Sequence, residues 1–401
     1  MRPAPTALVA LIAAVLGGVS VLALGRSAGW IGTAKTTTVV ERAPIGADAA
    51  PAAVLPPVKA AGAFDPARIY AARVPGVVTI VAFFGASGSA DANAAQGSGF
   101  VASADGTILT NSHVVTTAGQ GATGEAVKGA KELYVEFSDG ERVGAKIVGW
   151  DLFDDVGVIA VDPSQHPLTP LPLGDSSAVG VGEPVAAIGS PFGNESSLSV
   201  GIVSATRRSI PSLTSKYDLV DAIQTDAPIN HGNSGGPLFD ARGRVIGINA
   251  QIRSGGGQSG FEGVGFAVPI NSAKRSMRQL LASGRVAYAY IGIRTEDVTP
   301  SIARHFNFPT LHGALIDRVD AGTPGARAGL RGGSDVQQFN GQEIVVGGDL
   351  VVAINGEPVR NGGDVVRIVS GDLLPGQVAR LTIVRGSRRE VVPVRLVERP
   401  Q

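Results

Sequence analysis

Cysteine is absent from the 401 residues, which excludes a thiol nucleophile, a disulfide framework and every thiolate metal site. The same absence leaves the redox compartment open, because a chain without thiols is at home on either side of a membrane. Histidine is scarce. The five residues His113, His166, His231, His305 and His312 form no close pair, so neither a zinc centre nor another cofactor is expected. Net charge is also missing: Lys plus Arg and Asp plus Glu each number 34. No overall field favours nucleic acid or acidic lipid, and no nucleic-acid partner is expected. Glycine, by contrast, is abundant at 55 residues, as a strand-rich chain with many turns requires.

Long apolar runs are confined to one place. Ala7 to Leu24 reads ALVALIAAVLGGVSVLAL behind a single Arg2, and as a helix it would span roughly 27 Å, near the thickness of a bilayer's hydrocarbon core. It exceeds a typical signal-peptide core and lacks a convincing A-x-A site. Residues 1–25 are therefore read as an uncleaved membrane anchor, with a cleaved signal peptide as the alternative. Residues 26–63, which include APIGADAAPAAVLPPVKAAG, read as an extended Ala/Pro-rich linker.

Residues 64–284 change character, with short apolar runs bounded by Gly, Asp and Ser, such as VVTIVAFF (77–84), VGVIAV (156–161) and GVGFAVPI (263–270). Many short strands at this spacing predict antiparallel barrels or sandwiches. NSAKRSMRQLLASG (271–284) has helical periodicity with a Gly284 stop and should close the domain. Residues 287–399 alternate strands with two helical candidates, 323–330 and 362–371, and form a second, α+β module.

The strongest chemical signal is GNSGGP at 232–237. A serine hydroxyl is a poor nucleophile until a base takes its proton, and the attacked carbonyl needs N–H donors for its developing oxyanion. The glycines around Ser234 allow the required tight turn. The expected donors are the N–H groups of Gly232 and Ser234, with Asn233 between them. His113, in TNSHVV at the end of an apolar strand, is the candidate base. His231 is too close in sequence to Ser234, and His305 and His312 lie in the other module. Three carboxylates, Asp151, Asp154 and Asp155, compete to orient the imidazole. Asp155 is preferred because the buried strand beginning at Val156 would fix it, leaving Asp154 as a surface-turn residue.

TNSHVV, DVGVIAV and GNSGGP, in the order His–Asp–Ser, resemble the catalytic blocks of the HtrA/Deg family of serine proteases. IGSPFG (188–193), GIVSA (201–205), QTDAPIN (224–230) and GFAVPI (265–270) are similar to further blocks of that family. The resemblance covers roughly residues 64–399. It implies a mainly β fold, a chymotrypsin-like double β-barrel followed by an α+β PDZ domain, and a triad of His113, Asp155 and Ser234. INHGNSGG and the short loop GASGSADANAAQ resemble the membrane-anchored, stress-sensing DegS-like branch more than the cage-forming members.

YIGI at 290–293 resembles the carboxylate-binding loop of a PDZ domain, with Tyr290, Ile291, Gly292 and Ile293 receiving a peptide C-terminus. GTPGARAGL (322–330), GGDLVVAINGEPV (347–359) and GGDVVRIVSG (362–371) are also PDZ-like and follow in family order. SDVQQFNGQEIVV (334–346) departs from it and reads as an inserted hairpin. Together these features predict a serine endopeptidase acting on unfolded or extended polypeptide outside the cytoplasm. Its S1 pocket should be lined by Ile229, Asn230 and the 250–265 loop. The resemblance further implies a homotrimer and a preference for small or medium apolar residues at the cleavage site. The competing reading is a chaperone or scaffold that uses the same cleft and groove without turnover.

Overall fold

The computed structural model describes residues 64–85, 94–190, 196–215, 217–230, 232–250 and 263–400. The apolar run at 7–24, the linker, His231 and most of the 250–265 loop lie outside the described residues. Among the described residues no helix is long and apolar enough to cross a membrane.

A short helix α1 (Pro66–Arg73), started by the Asp65 side chain accepting from Arg68 N–H, leads into the first barrel. That barrel closes through β1 (Val77–Phe83), β2 (Ala94–Val101), β3 (Thr107–Thr110), β4 (Glu132–Glu136), β5 (Arg142–Asp151) and β6 (Val156–Val161) in the order β1-β2-β3-β6-β5-β4. The second is built from β7 (Pro184–Gly189), β8 (Ser197–Pro211), β9 (Asp218–Thr225), β10 (Pro237–Phe239), β11 (Val245–Ala250) and β12 (Gly265–Pro269) in the order β10-β11-β12-β9-β8-β7. Each barrel has its own apolar filling, Ile80, Ile108 and Ile159 in the first and Ile223, Leu238 and Ile246 in the second. Closure leaves no sheet edge to protect. A third cluster, including Phe100, Leu109, Ile188 and Phe239, joins the two barrels.

The predicted closing helix is present as α2, Ile270–Ser283, capped by Gly284 in the left-handed region. It buries Ile270, Ala273, Ser276 and Leu280 on one face. Leu280 occupies the space where a side chain on Gly149 of β5 would sit, so the helix packs across both barrels.

Beyond it, β13 (Ala289–Tyr290) pairs with the last strand β22 (Val397–Glu398). The C-terminal module is a sheet of β14 (Ile293–Val298), β15 (Gly313–Val319), β18 (Leu350–Ile354), β20 (Val378–Arg385) and β21 (Arg388–Arg395), with β19 (Glu357–Pro358) against β18. Alternation along β15 sends Ala314 and Ile316 to one core and Leu315 to another on the opposite face. The two helical candidates fold as a turn at Pro324–Arg327 and a helix at Gly362–Val366 that continues as a π-helical turn, Arg367–Asp372. The expected insertion is a hairpin of β16 (Asp335–Phe339) and β17 (Gln342–Val346). Its Phe339 ring stacks on His305 at 4.3 Å, which fastens the hairpin to the helix Pro300–His305.

Candidate active site

His113 sits three residues past the end of β3, in a single helical turn, Ser112–Val115, rather than at the strand end itself. Ser112 and Val114 are buried, and this holds the turn rigid against β6. Asp155 precedes β6 directly and adopts a left-handed backbone, φ 52°. That conformation is uncommon for residues other than glycine, with aspartate among those that tolerate it best. Here it is held from outside: Asn111 Nδ2 donates to the Asp155 carbonyl at 2.8 Å, and Ser112 N–H donates to the same oxygen at 3.3 Å.

The carboxylate is engaged on both oxygens. Oδ2 lies 2.7 Å from His113 Nδ1, while Oδ1 accepts from Ser112 Oγ at 2.7 Å and from His113 N–H at 3.0 Å. With the acid accepting at Nδ1–H, Nε2 is the basic nitrogen. Burial pushes the His113 pKa down, but the charge and hydrogen bond of Asp155 outweigh it, leaving the imidazole above its ordinary value.

The turn 232–236 arrives from the second barrel. Ser234 is 5% exposed, and its carbonyl accepts from Ser98 N–H of β2 at 2.8 Å. This bond carries the serine turn across to the first barrel, whose neighbouring strand leads to His113. Gly232 and Gly235 have φ of 96° and 86°, and a Cβ on Gly235 would lie 2.1 Å from Ser98 O, so both need glycine. Asn233 C=O accepts from Gly236 N–H at 3.0 Å. In a trans peptide the C=O and following N–H point oppositely, so the Ser234 N–H faces away from Gly236. Asn233 N–H donates to Asn230 O at 3.0 Å, fixing the residue between the two expected donors. Ile229 is buried, Asn230 is exposed, and a side chain on Gly265 would meet Ile229 Cγ1 at 2.7 Å.

One expectation is overturned. Asp154 is not a surface-turn residue: its side chain is 6% exposed and is paired with Arg275 of the closing helix. Asp151, also buried, accepts from Ser276 Oγ at 2.6 Å and from Tyr288 Oη at 2.5 Å. The cause is tertiary. The closing helix and the start of the C-terminal module cover the β5–β6 turn, which in isolation would face water. Arg399 completes the contact, its guanidinium 4.7 to 5.4 Å from the ring centres of Phe153, Tyr217 and Tyr288. Sequence reasoning also missed Ser98, Asn111 and Ser112. Two of them immediately precede His113 in TNSHVV, but which carboxylate they would serve cannot be read along the chain.

In the C-terminal module, Gly292 has φ 80°. The Ile291 carbonyl accepts from Gly325 N–H at 2.8 Å and the Gly292 carbonyl from Asp320 N–H at 3.0 Å. The N–H groups of Gly292 and Ile293 therefore point to the opposite side. Tyr290 Oη donates to Asp320 at 3.3 Å. β14 is an edge strand of its sheet.

Two six-stranded barrels that bring a buried His–Asp pair and a glycine-flanked serine turn together have the chymotrypsin-like architecture. A family model described as a trypsin-like peptidase domain matches residues 97–248. A protein named probable periplasmic serine endoprotease DegP-like from Hahella chejuensis is 43% identical over 254 residues, 63% of this chain and 50% of its own length. One of the same name from Pseudomonas savastanoi is 39% identical over 300 residues, covering 74% and 55%. The chain thus spans about half the length of the curated relatives it matches. The solved structure of the HtrA-type protease AlgW with a tripeptide is 30% identical, with a TM-score of 0.67, over 84% of this chain and 98% of that one. The serine endoprotease from Yersinia pestis, at 26% identity and a TM-score of 0.57, covers the same shares. The chain belongs to the HtrA/Deg family of serine proteases.

Proposed function

We propose that this chain is a serine endopeptidase that cleaves unfolded or extended polypeptide. The observation that carries the reading is the doubly anchored Asp155, bonded at 2.7 Å to His113 Nδ1, on the barrel to which the Ser234 turn is tied by the Ser98–Ser234 bond. Ser234 attacks the scissile carbonyl while His113 Nε2 takes its proton. The proton then passes to the leaving amine, and Asp155 stabilises the imidazolium throughout. The N–H groups of Gly232 and Ser234 receive the oxyanion. Water, activated by the same imidazole, hydrolyses the acyl-enzyme. S1, lined in part by Ile229 and Asn230, takes a small or medium apolar side chain, as membership of the HtrA/Deg family supports.

Residues 64–284 form the peptidase domain and 287–399 a PDZ domain. In the latter, Tyr290–Ile293 receives a peptide carboxylate on the N–H groups of Gly292 and Ile293, and the peptide extends along the edge of β14. The relatives named periplasmic and the apolar run at 7–24 support an extracytoplasmic enzyme held to the membrane, after the DegS-like style, and assembled as a homotrimer. The deciding experiment is digestion of unfolded casein by the full chain and by its Ser234→Ala variant. Cleavage by the first and none by the second is expected; equal cleavage by both would remove the assignment.

A further inference from the structure

Alternation along the edge strand β14 puts Ile293, Thr295 and Asp297 on one side of the C-terminal sheet. On that side Ile293 packs on the same core as Val365 of the helix Gly362–Val366. At the first residue of this helix the gap between helix and strand closes. The Gly362 N–H donates to Asp297 Oδ1 at 2.7 Å, and a Cβ added at Gly362 would lie 2.6 Å from Thr295 Oγ1 and 3.4 Å from Asp297 Oδ1. The helix has its own means of starting: Asn361 Oδ1 accepts from Asp364 N–H at 2.9 Å, and Asp364 Oδ2 accepts from Arg360 N–H at 2.9 Å. Asp297 is exposed, and among the described residues the Gly362 N–H is the one hydrogen-bond partner of its carboxylate.

A peptide whose carboxylate sits on the Gly292 and Ile293 N–H groups meets β14 where that strand begins, so it runs antiparallel along the edge. Its last side chain then lies beside Ile293. Residues directly opposite in an antiparallel pair share a face, which sets the third- and fifth-from-last side chains beside Thr295 and Asp297. Those are the two positions against which the helix start rests. Resting on the reading of residues 287–399 as a PDZ domain, we infer that Asp297 latches the peptide groove. While it holds Gly362, the groove takes the last two residues of a peptide and excludes side chains at the third and fifth positions from the end. A peptide with glycine at both positions fits the latched groove. One with branched aliphatic side chains there binds only after the Asp297–Gly362 bond opens, and its affinity is lowered by the fraction of molecules in the open state. Water can take up both exposed groups once they part, so the latch is a modest bias and not a permanent block.

The test uses calorimetry on the full chain carrying Ser234→Ala, which spares the ligands from cleavage. Two pentapeptides end alike in a free carboxylate, one with glycine at the third and fifth positions from the end, the other with valine at both. The ratio of their affinities cancels what the shared ends contribute. A hydrogen bond to a charged acceptor is worth roughly tenfold in an equilibrium, so Asp297→Ala should move the ratio about tenfold toward the valine peptide. Binding of the glycine peptide should stay within about twofold of the parent. Asp297→Asn, which keeps an oxygen to accept from Gly362, should fall between the parent and Asp297→Ala. Gly362→Ala opens the groove by a different route, because its methyl group would collide with Thr295 Oγ1 and push the helix start off the strand. It should move the ratio the same way, and it carries the comparison should Asp297→Ala not fold. A merely structural Asp297 would weaken both peptides together and leave the ratio alone. That result, or a ratio within about threefold of the parent, overturns the latch. Failure of the underlying reading is separately visible: a parent chain that binds neither peptide, or binds both as well after their carboxylates are amidated, removes groove and latch together.

Discussion

Replacing Asp155 by asparagine tests the site at its most constrained point. In the native chain Oδ2 accepts from His113 Nδ1–H and Oδ1 accepts from Ser112 Oγ and His113 N–H. An amide has one acceptor oxygen and one donor nitrogen. Ser112 and the His113 N–H both demand the oxygen on their side, so the amide NH₂ must face Nδ1. The imidazole then has to accept at Nδ1 and carry its proton on Nε2, the wrong tautomer for deprotonating Ser234. The expected loss is about 10⁴-fold in kcat, or about 5.5 kcal/mol of transition-state stabilisation. Part of the loss is pH-dependent. Asp155 holds the His113 pKa above its ordinary value, so the acidic limb of kcat/KM in the parent should lie above about 6.5 and should move down in the variant. The raised imidazole pKa also means that this pair adds stability below the unfolded value and loses it as pH rises through the folded one. Fluorogenic peptide turnover from pH 5 to 9, with folding checked by circular dichroism, provides the measurement. Activity within tenfold of the parent, or an unmoved acidic limb, would refute the assignment of Asp155.

Asp154→Asn should leave the chemistry intact but strip Arg275 of its buried partner, lowering stability by about 3 kcal/mol in urea unfolding; loss of kcat without loss of stability would contradict this. Burial and the neighbouring Asp154 push the Asp151 pKa up to about 6. The folded state thus keeps a proton that the unfolded chain releases near pH 4, and stability should fall by roughly 1.4 kcal/mol per pH unit between about 4 and 6. Asp151→Asn should flatten that segment in melts across the range. Peptides with a free C-terminal carboxylate should bind the full chain in calorimetry, and amidation of that carboxylate should abolish binding if Gly292 and Ile293 hold it. A peptide that also raises cleavage of a separate substrate must bind the active state better, by about 30-fold for roughly 2 kcal/mol of coupling.

The sequence by itself determined a strand-rich domain of barrels or sandwiches, which the family resemblance narrowed to two barrels, the closing helix with its Gly284 cap, and the inserted hairpin. Each is written in local pattern: alternation, helical periodicity, or a glycine where φ must be positive. It also singled out His113, Asp155 and Ser234, because serine chemistry needs a base and an acid and few residues of those types stand next to rigid strands. Only tertiary structure decided the rest. Asp154 looked like a turn residue because its turn is polar and short; it is buried because a helix more than a hundred residues later lies over it and supplies Arg275. Ser98 carried no signal, since a serine between two glycines is ordinary in a strand. Its hydroxyl meets the serine turn only because the packing of the barrels places it 2.5 Å from the Gly232 carbonyl oxygen, across 134 residues of chain. Periodicity reports which face a residue takes, whereas the partner on that face is chosen by how the barrels close and pack.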